Sequence, residues 1–193
     1  MPQLREPRQR ATRSTKEKSK TMSDAGSTVF ASDLGWILIA WQNEKLTLIS
    51  FGHASPADAA ARAGGEPLAT EESPRWVGKV IDKIKRFAAG QQVDWSDVPL
   101  APGRQSEFQR KVRAACQQIP RGEVRSYAEL AAAAGSPGAA RAVGSVMRTN
   151  RFPLVIPCHR VVAAGGKLGG FSCPSGLQMK EKLLALEGVA IKG

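Results

Sequence analysis

Two apolar runs of strand length, Trp36-Ile37-Leu38-Ile39-Ala40-Trp41 and Lys45-Leu46-Thr47-Leu48-Ile49-Ser50-Phe51, flank the polar Gln42-Asn43-Glu44. The pattern predicts a β-hairpin. Ser55-Pro56-Ala57-Asp58 then offers an N-cap followed by Pro at the first helical position, opening an Ala-rich helix that Gly64-Gly65 stops. Trp76, Val80, Ile84 and Phe87 recur at spacings of four, four and three, which predicts a helix over about 74–88 with Lys79, Lys83 and Arg86 facing out. Pro99, Pro102 and Gly103 mark a domain boundary.

The second half reads as a succession of capped helices. Ser106-Glu107-Phe108-Gln109 is a capping box, and Phe108, Val112 and Ala115/Cys116 form the buried face of its helix. Ser126-Tyr127-Ala128-Glu129 is another, opening a short helix that Gly135 stops. Ser136-Pro137 is expected to start the next helix at once and carry it to about Arg148. Two short helices around a Gly-containing turn, the second bearing Arg141 and Arg148, make a helix-turn-helix pattern.

Composition changes this picture at the N-terminus. Residues 1–28 are rich in Arg, Lys, Ser, Thr and Gln and hold no aromatic residue, so they read as a disordered basic tail. The expected organisation is therefore that tail, an α/β domain with a small sheet over 29–100, and a mostly helical domain over 101–193. The net charge of +11 divides into +5 for residues 1–20, −3 for 21–99 and +9 for 100–193. A polyanion suits the last segment, with double-stranded DNA first among the candidates. No apolar run approaches the roughly 18 residues of a membrane span, so no membrane partner is expected. Three Cys leave an odd thiol and no signal peptide precedes them, which places the chain in a reducing cytoplasm, nucleoid-associated in a prokaryote.

Chemistry concentrates in Pro157-Cys158-His159-Arg160-Val161-Val162, which holds one of only two His in the chain. A thiol becomes nucleophilic on ionising, and adjacent His and Arg favour that form. Cys158 is thus either an activated thiolate or a buried structural Cys, and the local sequence leaves both open. With no CxxC or HxxxH spacing, no metal site is expected.

From Phe108 onward, about 85 residues resemble the O6-alkylguanine-DNA alkyltransferases. The resemblance rests on Ile119-Pro120-Arg121-Gly122-Glu123-Val124 before Ser126-Tyr127, Ala140-Arg141-Ala142-Val143-Gly144, Asn150, the Pro157–Val162 motif, and Lys180 through Leu183-Leu184 to Glu187-Gly188. It implies an RNase H-like N-terminal domain and a winged helix-turn-helix C-terminal domain. It also implies single-turnover repair, in which the alkyl group of O6-alkylguanine in DNA passes irreversibly to Cys158, leaving O4-alkylthymine open as a second substrate. His159 would take the thiol proton through a water, Glu187 would orient the imidazole, and the Tyr127 hydroxyl would donate to guanine N3. Arg141 would fill the space of the flipped nucleotide, with Arg148, Ala140 and Ser136 on the DNA face. Asn150 would tie the helices to the active-site turn. Met147, Val161, Phe171, Ser172 and Arg160 would complete the guanine pocket of a monomer.

Two features depart from the family pattern. Arg151 stands where Pro usually follows the hinge Asn, and Gly170-Phe171-Ser172-Cys173-Pro174-Ser175-Gly176 is two residues longer than the usual pocket loop, with Phe for Tyr. Two other readings remain at this point: a lesion sensor without transfer, against which the presence of Cys158 argues, and an unrelated winged-helix protein with Cys158 in its core.

Overall fold

The computed structural model describes residues 25–64 and 73–190. Its N-terminal part is an antiparallel sheet in the order β1 (Ala25–Ser32), β2 (Gly35–Gln42), β3 (Lys45–His53). The expected hairpin is β2–β3, closed by Asn43 and Glu44 at φ 49° and 58°. Positive φ at both turn residues matches the turn twist to the strand twist.

β1 corrects the reading of residues 25–28 as tail, and the rest of that expectation, residues 1–24, lies outside the described residues. Ser27 is fully buried, and a Cβ on Gly26 would stand 2.7 Å from Trp41 Cζ2. These small residues form a strand because they let the large β2 side chains approach, so they carry no hydrophobic alternation of their own.

The central strand is covered on both faces, with Ile37 through Trp41 all buried. The N-cap at Ser55 and Pro at the first position start α1 (Pro56–Ala60) as expected, and it contacts all three strands. α2 (Arg75–Ala88) lays Val77, Val80, Ile84 and Phe87 into the cluster that holds Ile37, Ile39 and Ile49. The segment marked by Pro99 is not free of the sheet: Leu46 N donates to Pro99 O and Ala101 N to Leu46 O, at 2.8 and 2.7 Å.

The C-terminal part is mostly helical. α3 (Glu107–Gln117) is started by the Ser106–Gln109 capping box and buries Val112 and Cys116. After the two-residue strand β4 (Arg125–Ser126), the second capping box opens α4 (Tyr127–Ala133). α5 (Ala140–Arg148) begins three residues later than the Ser136-Pro137 signal suggests. Gly138 at φ 87° cannot continue a helix from Ser136, so residues 136–139 extend the turn instead. β5 (Val161–Val162) pairs in parallel with β4, and α6 (Gly176–Leu186) ends at Glu187-Gly188, with Gly188 at φ 80°. No helix among the described residues is long and apolar enough to cross a membrane.

Candidate active site

Cys158 is aimed by the turn before it. Pro157 sits at φ −78°, ψ 65°, and Cys158 N donates to Ile156 O at 2.7 Å, which is an inverse γ-turn that the Pro ring pre-sets. Leu154 adopts φ 76°, a conformation costing about 1–3 kcal/mol for a residue with a Cβ. Burial of Phe152, Leu154, Val155 and Ile156 holds it there. Asn150 closes the turn from α5: its Nδ2 donates to Ile156 O at 2.8 Å and its Oδ1 accepts from Phe152 N at 3.0 Å. The sheet holds the same turn from the other side, since Ile49 N donates to Arg151 O at 2.8 Å.

Next to the thiol lies a buried ionic triad. Glu187 Oε1 accepts from His159 Nε2 at 3.0 Å and from an Arg160 Nη at 2.8 Å, while Oε2 accepts from Arg160 Nε at 2.9 Å. Burial alone would raise the Glu187 pKa, but the bonds from His159 and Arg160 overcome it and hold the carboxyl at about 2. An ionised carboxylate only accepts, so His159 Nε2 must carry the proton. Burial pushes the His159 pKa down, against the pull of Glu187, which keeps the ring neutral at pH 7. Its Nδ1 therefore offers a lone pair, and that atom is buried without a hydrogen bond to the described residues. Burial likewise pushes the Cys158 thiol up, opposed by Asn150 and Lys180, so the resting group is a thiol and ionisation requires a base.

Two cavities open on Cys158. One, of about 240 Å³, is lined by Tyr127, Gly144, Met147, Arg148, Phe171 and Ser172 among others. The β4–β5 pairing places Tyr127, the first residue of α4, beside this turn, with its hydroxyl 3.5 Å from Gly170 O. Burial pushes its pKa up, so it stays a donor. The other cavity, of about 380 Å³, lies between β3 and the turn.

Residues 107–189 match the family model described as 6-O-methylguanine DNA methyltransferase, DNA binding domain. A methylated-DNA–protein-cysteine methyltransferase of Methanosarcina acetivorans is 37% identical over 160 residues, covering 83% of this chain and 96% of the relative. The chain belongs to this family. A second member, from Mycolicibacterium paratuberculosis, is 47% identical over 116 residues, 60% of this chain and 68% of the relative. The crystal structure of Mycobacterium tuberculosis O6-methylguanine methyltransferase is similar with a TM-score of 0.70 at 32% identity, covering 88% of this chain and 96% of that one. M. tuberculosis OGT in complex with DNA gives 0.64 at 31%, covering 84% and 92%. These methyltransferases share the small N-terminal sheet and mostly helical C-terminal part.

Of the residues the sequence singled out for this methyltransferase chemistry, Cys158, His159, Glu187, Tyr127, Met147, Asn150, Phe171 and Ser172 gather around one turn. Arg141 and Arg148 are exposed on α5, Ala140 opens that helix, and half-buried Ser136 lies in the turn before it. Arg160 departs from its expected place in the guanine pocket. Its guanidinium turns away from both Cys158 cavities to bind Glu187 and, at 2.6 Å, Ile119 O, because the buried carboxylate is the stronger acceptor. Val161 is fully buried, and its carbonyl accepts from Lys180 Nζ at 2.6 Å.

Lys180 was not among the candidate site residues. It is fully buried, bonded also to Leu168 O and Gly170 O, with its pKa lowered by burial to about 8. The available signal was a Lys one turn before Leu183-Leu184 on the apolar face of α6. Gly169 was missed as well: at φ 66°, a Cβ there would lie 3.1 Å from the Tyr127 ring and 3.2 Å from its hydroxyl. Gly169→Ala is expected to displace Tyr127 and slow single-turnover alkyl transfer by about tenfold, a displacement cost on the order of 1–3 kcal/mol. An unchanged rate would show that Tyr127 does not need this approach.

Proposed function

We propose that this protein repairs O6-alkylguanine in duplex DNA by passing the alkyl group to Cys158, once per molecule. The observation that carries the reading is a buried thiol facing base-sized cavities beside a neutral imidazole whose Nε2–H is committed to Glu187. His159 Nδ1 takes the thiol proton through a water, and the thiolate attacks the carbon on guanine O6. The C–O6 bond breaks, the pair leaves on the base, and Tyr127 donates toward N3 as that charge builds. The product thioether does not revert, so turnover ends there. Glu187 acts through His159 as a positioning residue. Met147, Phe171, Ser172 and the Val161 carbonyl surround the base.

A thiol this buried reaches the O6 substituent only if the nucleotide leaves the stack. In this reading α4 and α5 form the helix-turn-helix of a winged domain, carried beside an RNase H-like sheet. Arg141 occupies the vacated space, while Arg148, Ala140 and Ser136 lie along the strand. The acceptor is a protein side chain, which needs no cofactor, and the protein works as a cytoplasmic monomer. The deciding experiment incubates the protein with an O6-methylguanine duplex and looks for one added methyl on the Cys158 peptide. Lesion binding without transfer would instead favour a sensor.

Arg141→Ala should lower transfer from duplex DNA by about tenfold to a hundredfold, since unstacking a base costs a few kcal/mol. Transfer from a free O6-alkylguanine base should change little. Equal losses on both substrates would reject the wedge role.

A further inference from the structure

The cavity of about 380 Å³ between β3 and the active-site turn is far larger than a methyl group needs, and it opens on the reacting thiol. Its floor is apolar, from Leu48, Ile49 and Phe51 of β3 and Phe171 of the pocket loop. Among the described residues its charge is of one sign: Arg62, Arg148 and Arg151 line it, and no described acidic residue does. All three arginines are exposed and none forms an ion pair among the described residues. Asp58, one turn before Arg62, is engaged by Ser55 through both its backbone and its carboxylate.

The cavity of about 600 Å³ on the far side of the Cys158–Arg160 turn provides the contrast. There Arg160 is committed to Glu187 and Arg121 to the carbonyls of Gly90, Gln91 and Leu186, and Asp94 shares the lining. The cavity between β3 and the thiol, by contrast, presents three arginines without an ion-pair partner among the described residues around an apolar floor.

We infer that this cavity receives the alkyl part of O6 adducts ending in a carboxylate, and that Arg62 and Arg151 select such adducts over neutral ones of the same size. The inference rests on the alkyl transfer proposed above and names its substrate class. The reaction balances as for a methyl group. The Cys158 thiolate forms a bond to the adduct's α-carbon, the C–O6 bond breaks onto guanine, which gains a proton, and the carboxylate stays on the protein as an S-carboxyalkyl group. Apolar contact holds the methylene part, while guanidinium forks match a carboxylate in geometry and charge. Arg151 stands where the family pattern has Pro, and Arg62 reaches the same cavity from the other half of the chain.

The test is a single-turnover comparison with the full chain on three duplexes containing O6-methylguanine, O6-carboxymethylguanine and neutral O6-(2-hydroxyethyl)guanine, each rate divided by the methyl rate. The wild-type protein should favour carboxymethyl over hydroxyethyl by about tenfold, the scale of one hydrogen bond to a charged group. Arg62→Ala/Arg151→Ala should bring that ratio to about one. Equal wild-type rates on the two larger adducts, or a preference that survives the double substitution, overturns the inference. A proportional loss on all three duplexes also overturns it, because the arginines would then serve the DNA phosphates. No transfer from even the methyl duplex would sink the underlying alkyl-transfer reading and this inference with it, an outcome distinct from lost selectivity.

Discussion

Cys158→Ala is expected to abolish alkyl transfer completely while leaving affinity for lesion-containing DNA within about twofold. The thiol is the reagent, not part of the binding surface, for Cys158 is only 9% exposed and the basic residues of α5 stand outside it. Neither remaining thiol can replace it on the geometry described. Cys116 is fully buried on the core face of α3, where burial pushes its pKa strongly up. Cys173 lines the larger cavity, but burial raises its pKa too, and its Sγ is turned to Gly176 O at 3.7 Å. Peptide mass analysis after incubation with an O6-methylguanine duplex separates the outcomes. A methyl found on Cys173 in the variant would show that the pocket loop, not the turn after Pro157, carries the nucleophile.

What the chain disclosed about itself follows the range of the forces involved. The capping boxes at Ser106–Gln109 and Ser126–Glu129 are contacts three residues apart, so they read directly from sequence and recur in the structure. The start of α5 uses equally local information but two signals compete, and Gly138 overrides Ser136-Pro137. β1 was illegible from 25 to 28 because its residues fit around Trp41 instead of supplying apolar surface. At the site, adjacency revealed the Cys158–His159 pair, whereas Glu187 lies 28 residues from His159 and was reached only through family resemblance. Arg160 and Lys180 are the instructive cases. Long cationic side chains are usually exposed, and nothing in a linear pattern says that two carboxylate oxygens or three carbonyls await them indoors.

The largest effect on stability should come from Glu187. Glu187→Ala would leave the Arg160 guanidinium and His159 Nε2–H buried without their acceptor, and removing one partner of a buried pair costs about 3–5 kcal/mol. Urea denaturation at pH 7 measures this loss directly. Glu187→Gln keeps the volume, so it isolates the charge: the amide oxygen can satisfy one donor, while its NH2 faces another donor and repels it. The pH dependence follows from the carboxyl's folded pKa of about 2 against an ordinary 4.5. A depressed acid contributes its stability in full above 4.5 and loses it as pH falls toward 2. The stability gap between wild type and Glu187→Gln should therefore be constant from pH 5 to 7 and shrink steadily below about 4.5. Transfer should also fall by about a hundredfold or more in Glu187→Gln, because His159 loses the fixed tautomer that leaves Nδ1 free as a base. A purely structural Glu187 predicts otherwise: once temperature and pH are chosen so that the variant is fully folded, its transfer rate and pH–rate profile would match those of the wild type.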